Sequence, residues 1–254
     1  MDDRIFLKRI SLVKSPADYT AQLPVIRFLE KNGGLSFSKP VTFLLGENGS
    51  GKSTLLEAIA AAYGFNPEGG SRNFMFSTHT THAALYECLH LVRGPYRPRD
   101  GFFLRAESFY NAASYLDEID TGPDHRLIKR YGGKSLHEQS HGESFFSLLL
   151  HRFSGKGFYI LDEPESALSP QKQLAFLSRL HQLVCAGAQF LIATHSPILS
   201  AYPDAEIFVL SEDGIQKTPY RNTDPFLLTR EFLNAPERML TTLLAEEDSD
   251  GTLL

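Results

Sequence analysis

An α/β fold with a mostly parallel central sheet, N-terminal antiparallel strands and a short inserted helical segment is what this sequence predicts, and three observations carry the prediction. The apolar run 41–45 passes through a glycine-rich turn at 46–54 into the helical pattern 55–62. Two further apolar runs, 158–161 and 189–194, are continuous rather than alternating, as strands are when both faces of a parallel sheet are covered. Helical patterns separate these runs, which is the alternation that builds a parallel sheet.

In chain order, residues 5–13 alternate around Phe6, Leu7, Ile10 and Leu12 and read as a strand, and 35–38 leads into 41–45. The opening third therefore reads as sheet with one helix. Turn chemistry at Asn66-Pro67-Glu68-Gly69-Gly70 follows, then short strands at 74–77 and 102–106 on either side of a loop rich in Pro and Gly. Between 111 and 131 the pattern turns helical and polar, so a helical insertion at about 108–150 is expected inside one domain spanning 1–254. The run 145–150 predicts a helix that Gly155 and Gly157 end before strand 158–161. Ser169 as N-cap and Pro170 in the first turn open the next helix, with Leu174, Leu177, Leu180 and Val184 at helical spacing. Strand 189–194 follows, and 205–210 with 215–217 reads as a closing hairpin across Asp213-Gly214.

Bulk properties bound the function. A chain of 254 residues with 42% apolar content can bury one large core with a modest insertion. The 25 Lys and Arg stand against 30 Asp and Glu, so no global positive field holds nucleic acid, and only a local basic patch could. Cys88 and Cys185 are too few for a disulfide framework; Cys185, in an apolar helical stretch, reads as a buried thiol, and the chain as cytoplasmic. The charged start Met1-Asp2-Asp3-Arg4 does not read as a signal peptide, no run is long enough to span a bilayer, and 246–251 reads as a solvated acidic tail.

The chemistry concentrates at Gly46-Glu47-Asn48-Gly49-Ser50-Gly51-Lys52-Ser53-Thr54. A strand, a glycine loop and a helix in that order make a phosphate cradle, because Gly46, Gly49 and Gly51 can take positive φ and turn successive N–H groups onto one polyphosphate. Lys52 adds a point charge near the β and γ phosphates, and the Ser53 hydroxyl can ligate Mg²⁺. Strand 158–161 ends in Asp162-Glu163, where a parallel sheet presents its ligand-binding edge. Asp162 would hold hydrated Mg²⁺ opposite Ser53, and Glu163 could deprotonate the water that attacks the γ phosphate. Two such acids can also cap the following turn.

Taken together, these residues resemble the ATP-binding cassette (ABC) ATPase superfamily, which includes transporter motor domains and the chromosome-maintenance and recombination-repair ATPases. The resemblance extends from about Leu35 to about Leu210 and implies a P-loop NTPase of ABC type with Walker A at 46–54 and Walker B at 158–163. It further implies a D-loop at Ser166-Ala167-Leu168-Ser169, with Ser169 where Asp is usual, and a switch histidine at His195 that senses the γ phosphate. Gln139-Ser140-His141-Gly142-Glu143 stands at the signature position; Ser140, Gly142 and Glu143 fit it, whereas Gln139 and His141 depart. Ser140 can equally be an ordinary N-cap. The glutamine that usually ends the preceding strand is absent: Glu107 either substitutes for it at the metal or forms a strand-end salt bridge. Tyr19 stands upstream of the loop as a candidate adenine-stacking aromatic, with core or loop packing as the alternative.

The mechanism implied is an MgATP-dependent homodimer in which Ser140 and Gly142 of a second copy complete each site, and hydrolysis releases the interface. A stand-alone cytoplasmic ATPase in repair, stress or defence is the leading expectation. A transporter ATP-binding subunit, a DNA-linked ATPase and a nucleotide switch with little turnover are the alternatives; about thirty residues between Glu107 and Ser140 leave no room for a long coiled coil.

Overall fold

The computed structural model describes residues 5–67, 69–70, 85–105 and 141–245. The expected strand at 74–77, the helical pattern at 111–131, Glu107, Ser140 and the acidic stretch 246–251 lie outside the described residues.

The main sheet has six strands: β3 (Val41–Gly46), β5 (Asp100–Arg105), β6 (Gly157–Asp162), β7 (Gln189–Ala193), β8 (Glu206–Ser211) and β9 (Gly214–Lys217). Their order is β5-β6-β7-β3-β8-β9, parallel except for β9, which returns antiparallel on β8. Every residue of β6 and β7 is buried, as the unbroken apolar runs required. A second, antiparallel sheet of order β2-β1-β4 is formed by β1 (Leu7–Leu12), β2 (Leu35–Ser36) and β4 (Leu89–Arg93).

Strand alternation divides the core. Leu44, Ile160 and Leu191 face α1 (Pro24–Asn32), α2 (Lys52–Tyr63) and the antiparallel sheet. Phe43, Leu161 and Ile192 face the opposite way, against Phe176, Leu180 and Leu183 of the long helix that follows β6. The two sheets are joined by one buried amide: Gln189 Oε1 accepts from Phe6 N (2.8 Å) and Leu7 N (2.9 Å), and its Nε2 donates to Leu7 O (3.0 Å).

After the four-residue α3 (Leu85–Cys88), α4 (His141–His151) occupies the expected 145–150 position and α5 (Pro170–Cys185) begins as anticipated, with Ser169 Oγ accepting from Lys172 N. Three expectations are corrected. The opening third carries a second helix, α1, whose Val25, Ile26 and Leu29 are buried although Arg27, Glu30 and Lys31 make it look polar. The buried stripe of α5 runs through Gln173, Phe176, Leu180 and Leu183, leaving Leu174 60% exposed. Cys185 ends that helix and is exposed, whereas Cys88 is the buried cysteine.

Beyond β9 the chain forms two further helices, α6 (Asp224–Asn234) and α7 (Pro236–Leu243), neither with a buried residue. Among the described residues no helix is long and apolar enough to cross a membrane.

Candidate functional site

β3, β6 and β7 run parallel, so their C-terminal ends open on one edge, and each delivers a polar segment there. The turn after β3 brings the glycine loop. Gly46, Gly49 and Gly51 have φ of 143°, 84° and 93°, values that a β-carbon opposes. Gly46 is further constrained by space, since a Cβ there would lie 2.3 Å from Leu210 O. Gly51 hands the chain to α2 in left-handed geometry, and no side chain caps that helix start. Glu47 and Asn48 are exposed at the tip, Ser50 is buried with a hydroxyl that finds no partner, and Thr54 lies in the first turn of α2.

Lys52 is 4% exposed, and its ammonium donates to Gly46 O (2.7 Å) and Glu47 O (2.8 Å), so the side chain folds back over its own loop. Burial pushes the Lys52 ammonium below its ordinary value; the carboxylates of Glu163, Asp162 and Glu165 oppose the shift. Ser53 donates to Asp162 Oδ1 at 3.0 Å, bringing together the first turn of α2 and the end of β6.

Glu163, the next residue, has φ 49° and ψ 53°, a left-handed conformation that costs a non-glycine residue about 1–2 kcal/mol. This conformation turns the chain out of the strand, and Glu163 N still donates to Ala193 O (3.0 Å). The Glu163 carboxylate is 3.5 Å from His195 Nε2, each side chain being about two-fifths exposed. His195 leaves β7 with its main-chain N–H donated to Glu165 Oε1 (2.6 Å), while its Nε2 and the second Glu165 oxygen make no hydrogen bond.

The structure thus brings together 46–54, Asp162, Glu163 and His195. It leaves Gly142 and Glu143 in the first turn of α4, with Glu143 exposed. Tyr19 is not packed: it is 66% exposed and lines a cleft of about 1080 Å³ with Arg27, Gly49, Leu210 and Asp213, directly beside the glycine loop.

Two residues at this edge were not singled out from sequence. Arg105 ends β5 in register with Asp162; its guanidinium lies 3.0 Å from Glu57 Oε2 and 3.8 Å from Asp162 Oδ2. Glu165 fixes the backbone of His195. Parallel pairing of 100–105 with 157–162 is the signal that would have found Arg105; nothing local to Glu165 announces a partner thirty positions on.

The donor set fits a magnesium polyphosphate. An uncapped helix start, positive-φ glycines and a buried lysine suit the anion. A hydroxyl and a carboxylate oxygen suit Mg²⁺, which takes few protein ligands and completes its shell with water and phosphate.

Comparison with known proteins agrees with this geometry. Residues 26–89 match a family model described as an AAA domain, and residues 135–201 match one described as an AAA domain, AbiEii toxin, type IV TA system. The chain is 27% identical over 233 residues to a protein named as an ABC transporter ATP-binding protein in Caldanaerobacter subterraneus, covering 83% of this chain and 89% of that one. It is also 27% identical over 173 residues to an ABC transporter ATP-binding/permease protein of Mycobacterium tuberculosis, covering 61% of this chain but only 19% of that much longer protein. Among solved structures, cbiO1 of Clostridium perfringens, part of the ABC transporter complex cbiONQ, shares the fold at TM-score 0.50 and 18% identity, covering 92% of this chain and 97% of that one. The two AAA matches take in the glycine loop, Asp162, Glu163 and His195, and the backbone shares the α/β fold of that ABC transporter protein.

Proposed function

We propose that this chain binds and hydrolyses MgATP, and that two copies close around the nucleotide to do so. The observation that carries the reading is the convergence of Lys52, Ser53, Asp162, Glu163 and His195 on one sheet edge, with Ser53 and Asp162 already in hydrogen-bond contact. In this scheme the glycine loop and the start of α2 hold the β and γ phosphates, and Lys52 supplies a fixed positive charge. Ser53 and Asp162 would hold Mg²⁺, which supplies charge neutralisation on the phosphate oxygens. Glu163, swung out by its left-handed backbone, takes the proton of the attacking water, and His195, held by Glu165, donates a hydrogen bond to the γ phosphate. Ser140, Gly142 and Glu143 of the second copy would complete the site. Tyr19, exposed over the adjoining cleft, stands on the side where the base would lie.

The test is turnover and size together. Glu163→Gln lowers phosphate release by about 10²–10⁴-fold, as expected for loss of a positioned base, and accumulates as a dimer in size-exclusion chromatography with MgATP. A monomer under those conditions would overturn the two-copy mechanism.

The cycle is assigned to a stand-alone cytoplasmic ATPase in defence, stress or repair, and the toxin description of the second family model favours defence. A second reading, the ATP-binding subunit of a transporter, is favoured by the names of the relatives. Purified chain that turns over ATP with no membrane protein present supports the first; turnover that appears only on reconstitution with a membrane subunit supports the second.

A further inference from the structure

The opposite edge of the main sheet carries a different chemistry. Between β4 and β5 the chain reads Arg93-Gly94-Pro95-Tyr96-Arg97-Pro98-Arg99, and Lys156 precedes β6. Because β5 and β6 are parallel and start in register at Asp100 and Gly157, these residues gather at the strand entrances, away from the glycine loop. The six residues of β6 separate the two edges by about 17–20 Å at ~3.3 Å per residue.

Two cavities lie side by side here, of about 310 and 480 Å³, sharing Tyr96 and Arg97. The larger is lined by Arg97, Arg99 and Lys156, and neither has a carboxylate in its lining. In a chain with five more acids than bases this is a marked local excess of positive charge. All three cations are exposed, and no carboxylate among the described residues pairs with them. The neighbouring acid, Asp100, is occupied by Arg152 (2.7 Å) and by the Tyr159 hydroxyl (2.8 Å).

The patch is also built rather than loose. Arg99 N donates to Lys156 O (2.9 Å), tying its two segments together, and Gly94 N donates to Phe6 O (2.9 Å). A Cβ at Gly94 would fall 1.8 Å from Ile5 O, so the loop base is pressed onto the segment that leads into β1. Pro95 and Pro98 fix φ on either side of Tyr96 and Arg97. Tyr96 is 61% exposed, an aromatic face set among guanidinium groups.

We infer that this edge binds single-stranded nucleic acid, with Arg97, Arg99 and Lys156 on successive phosphates and the Tyr96 ring stacked on a base. Guanidinium forks match phosphate oxygens two at a time, and an exposed ring beside them is the pairing that holds unpaired bases without reading sequence. A lipid headgroup or an acidic peptide would use the same cations but has no base for Tyr96 to stack on. The site is independent of the proposed ATP chemistry.

The experiment is fluorescence anisotropy of a fluorescein-labelled strand of about 20 nucleotides, longer than the footprint of a single stacking platform, with full-length protein and no nucleotide. Three phosphate contacts give a slope of log affinity against log salt of about −2 for a single strand. Arg97→Ala/Arg99→Ala/Lys156→Ala weakens binding about tenfold or more and flattens that slope. Tyr96→Ala weakens it about fivefold or more with the slope unchanged. Thermal unfolding and MgATP turnover of both variants match wild type. Cys185, exposed on the wall of the larger cavity, gives a second readout: bound strand slows its alkylation several-fold. Lys52→Ala retains the strand. Wild-type affinity in the triple variant, unchanged Cys185 alkylation, loss of the strand in Lys52→Ala, or capture of phosphatidylserine vesicles in place of the strand would each overturn the assignment.

Discussion

Tyr159 shows how one interior side chain ties stability to pH. Its hydroxyl sits 2.8 Å from Asp100 Oδ2 and accepts from Ser154 N at 2.7 Å, and its ring stacks on Phe153 at 4.1 Å. Burial first, and the Asp100 carboxylate second, push the phenol well above its ordinary value. In the unfolded chain tyrosine titrates near 10. Below that pH both states keep the proton and the full contribution is present; above it the unfolded chain releases its proton first, and stability falls as pH rises. Tyr159→Phe leaves Ser154 N without its acceptor and takes one of the donors from Asp100, which keeps Arg152, so it costs about 1–3 kcal/mol at neutral pH. The gap between wild type and variant narrows above about pH 10; urea denaturation from pH 7 to 11 measures it. At the same scale, the glycine loop and the Asp162-Glu163 pair were legible in sequence because their chemistry is local. Arg105 and Glu165 were not, because their importance comes from partners brought together only by strand pairing and a turn.

At the scale of elements, the strands were the most legible. β3, β6 and β7 are covered on both faces, so burial writes itself as unbroken apolar runs. Helices were read less well. α1 starts at Pro24 without a side-chain cap, and α5 hides Gln173 in its buried stripe, where its amide donates to Leu168 O (3.0 Å) and accepts from Ser196 Oγ (2.5 Å). A polar residue in that row shifts the apparent stripe by one position, about 100° around the helix, and makes Leu174 look interior. Gln189 is the same kind of residue in a strand. Its amide joins β7 to the backbone at 6–7, so Gln189→Met, close in shape but unable to hydrogen-bond, strands two buried N–H groups and one carbonyl. We expect a loss of about 3 kcal/mol or more, measured as a lower urea midpoint with an unchanged m-value.

For the whole molecule, the parallel sheet sets two chemistries on opposite edges, and its twofold partner in the proposed cycle would meet only one of them. In that proposed cycle, closure of two copies around ATP would leave the strand entrances with Arg97, Arg99 and Lys156 on the outer side of each copy's sheet. β6 is the element common to both edges, entered from Lys156 and left through Asp162 and Glu163. Linkage makes the consequence quantitative: the factor by which a bound nucleotide alters affinity for the polyanion must equal the factor by which the polyanion alters affinity for the nucleotide. Paired titrations, each run with and without the other ligand, return that one number twice. A factor of one leaves the two ends of this six-residue rod independent; any other value, returned twice, makes β6 the connection between two ports whose occupants never touch.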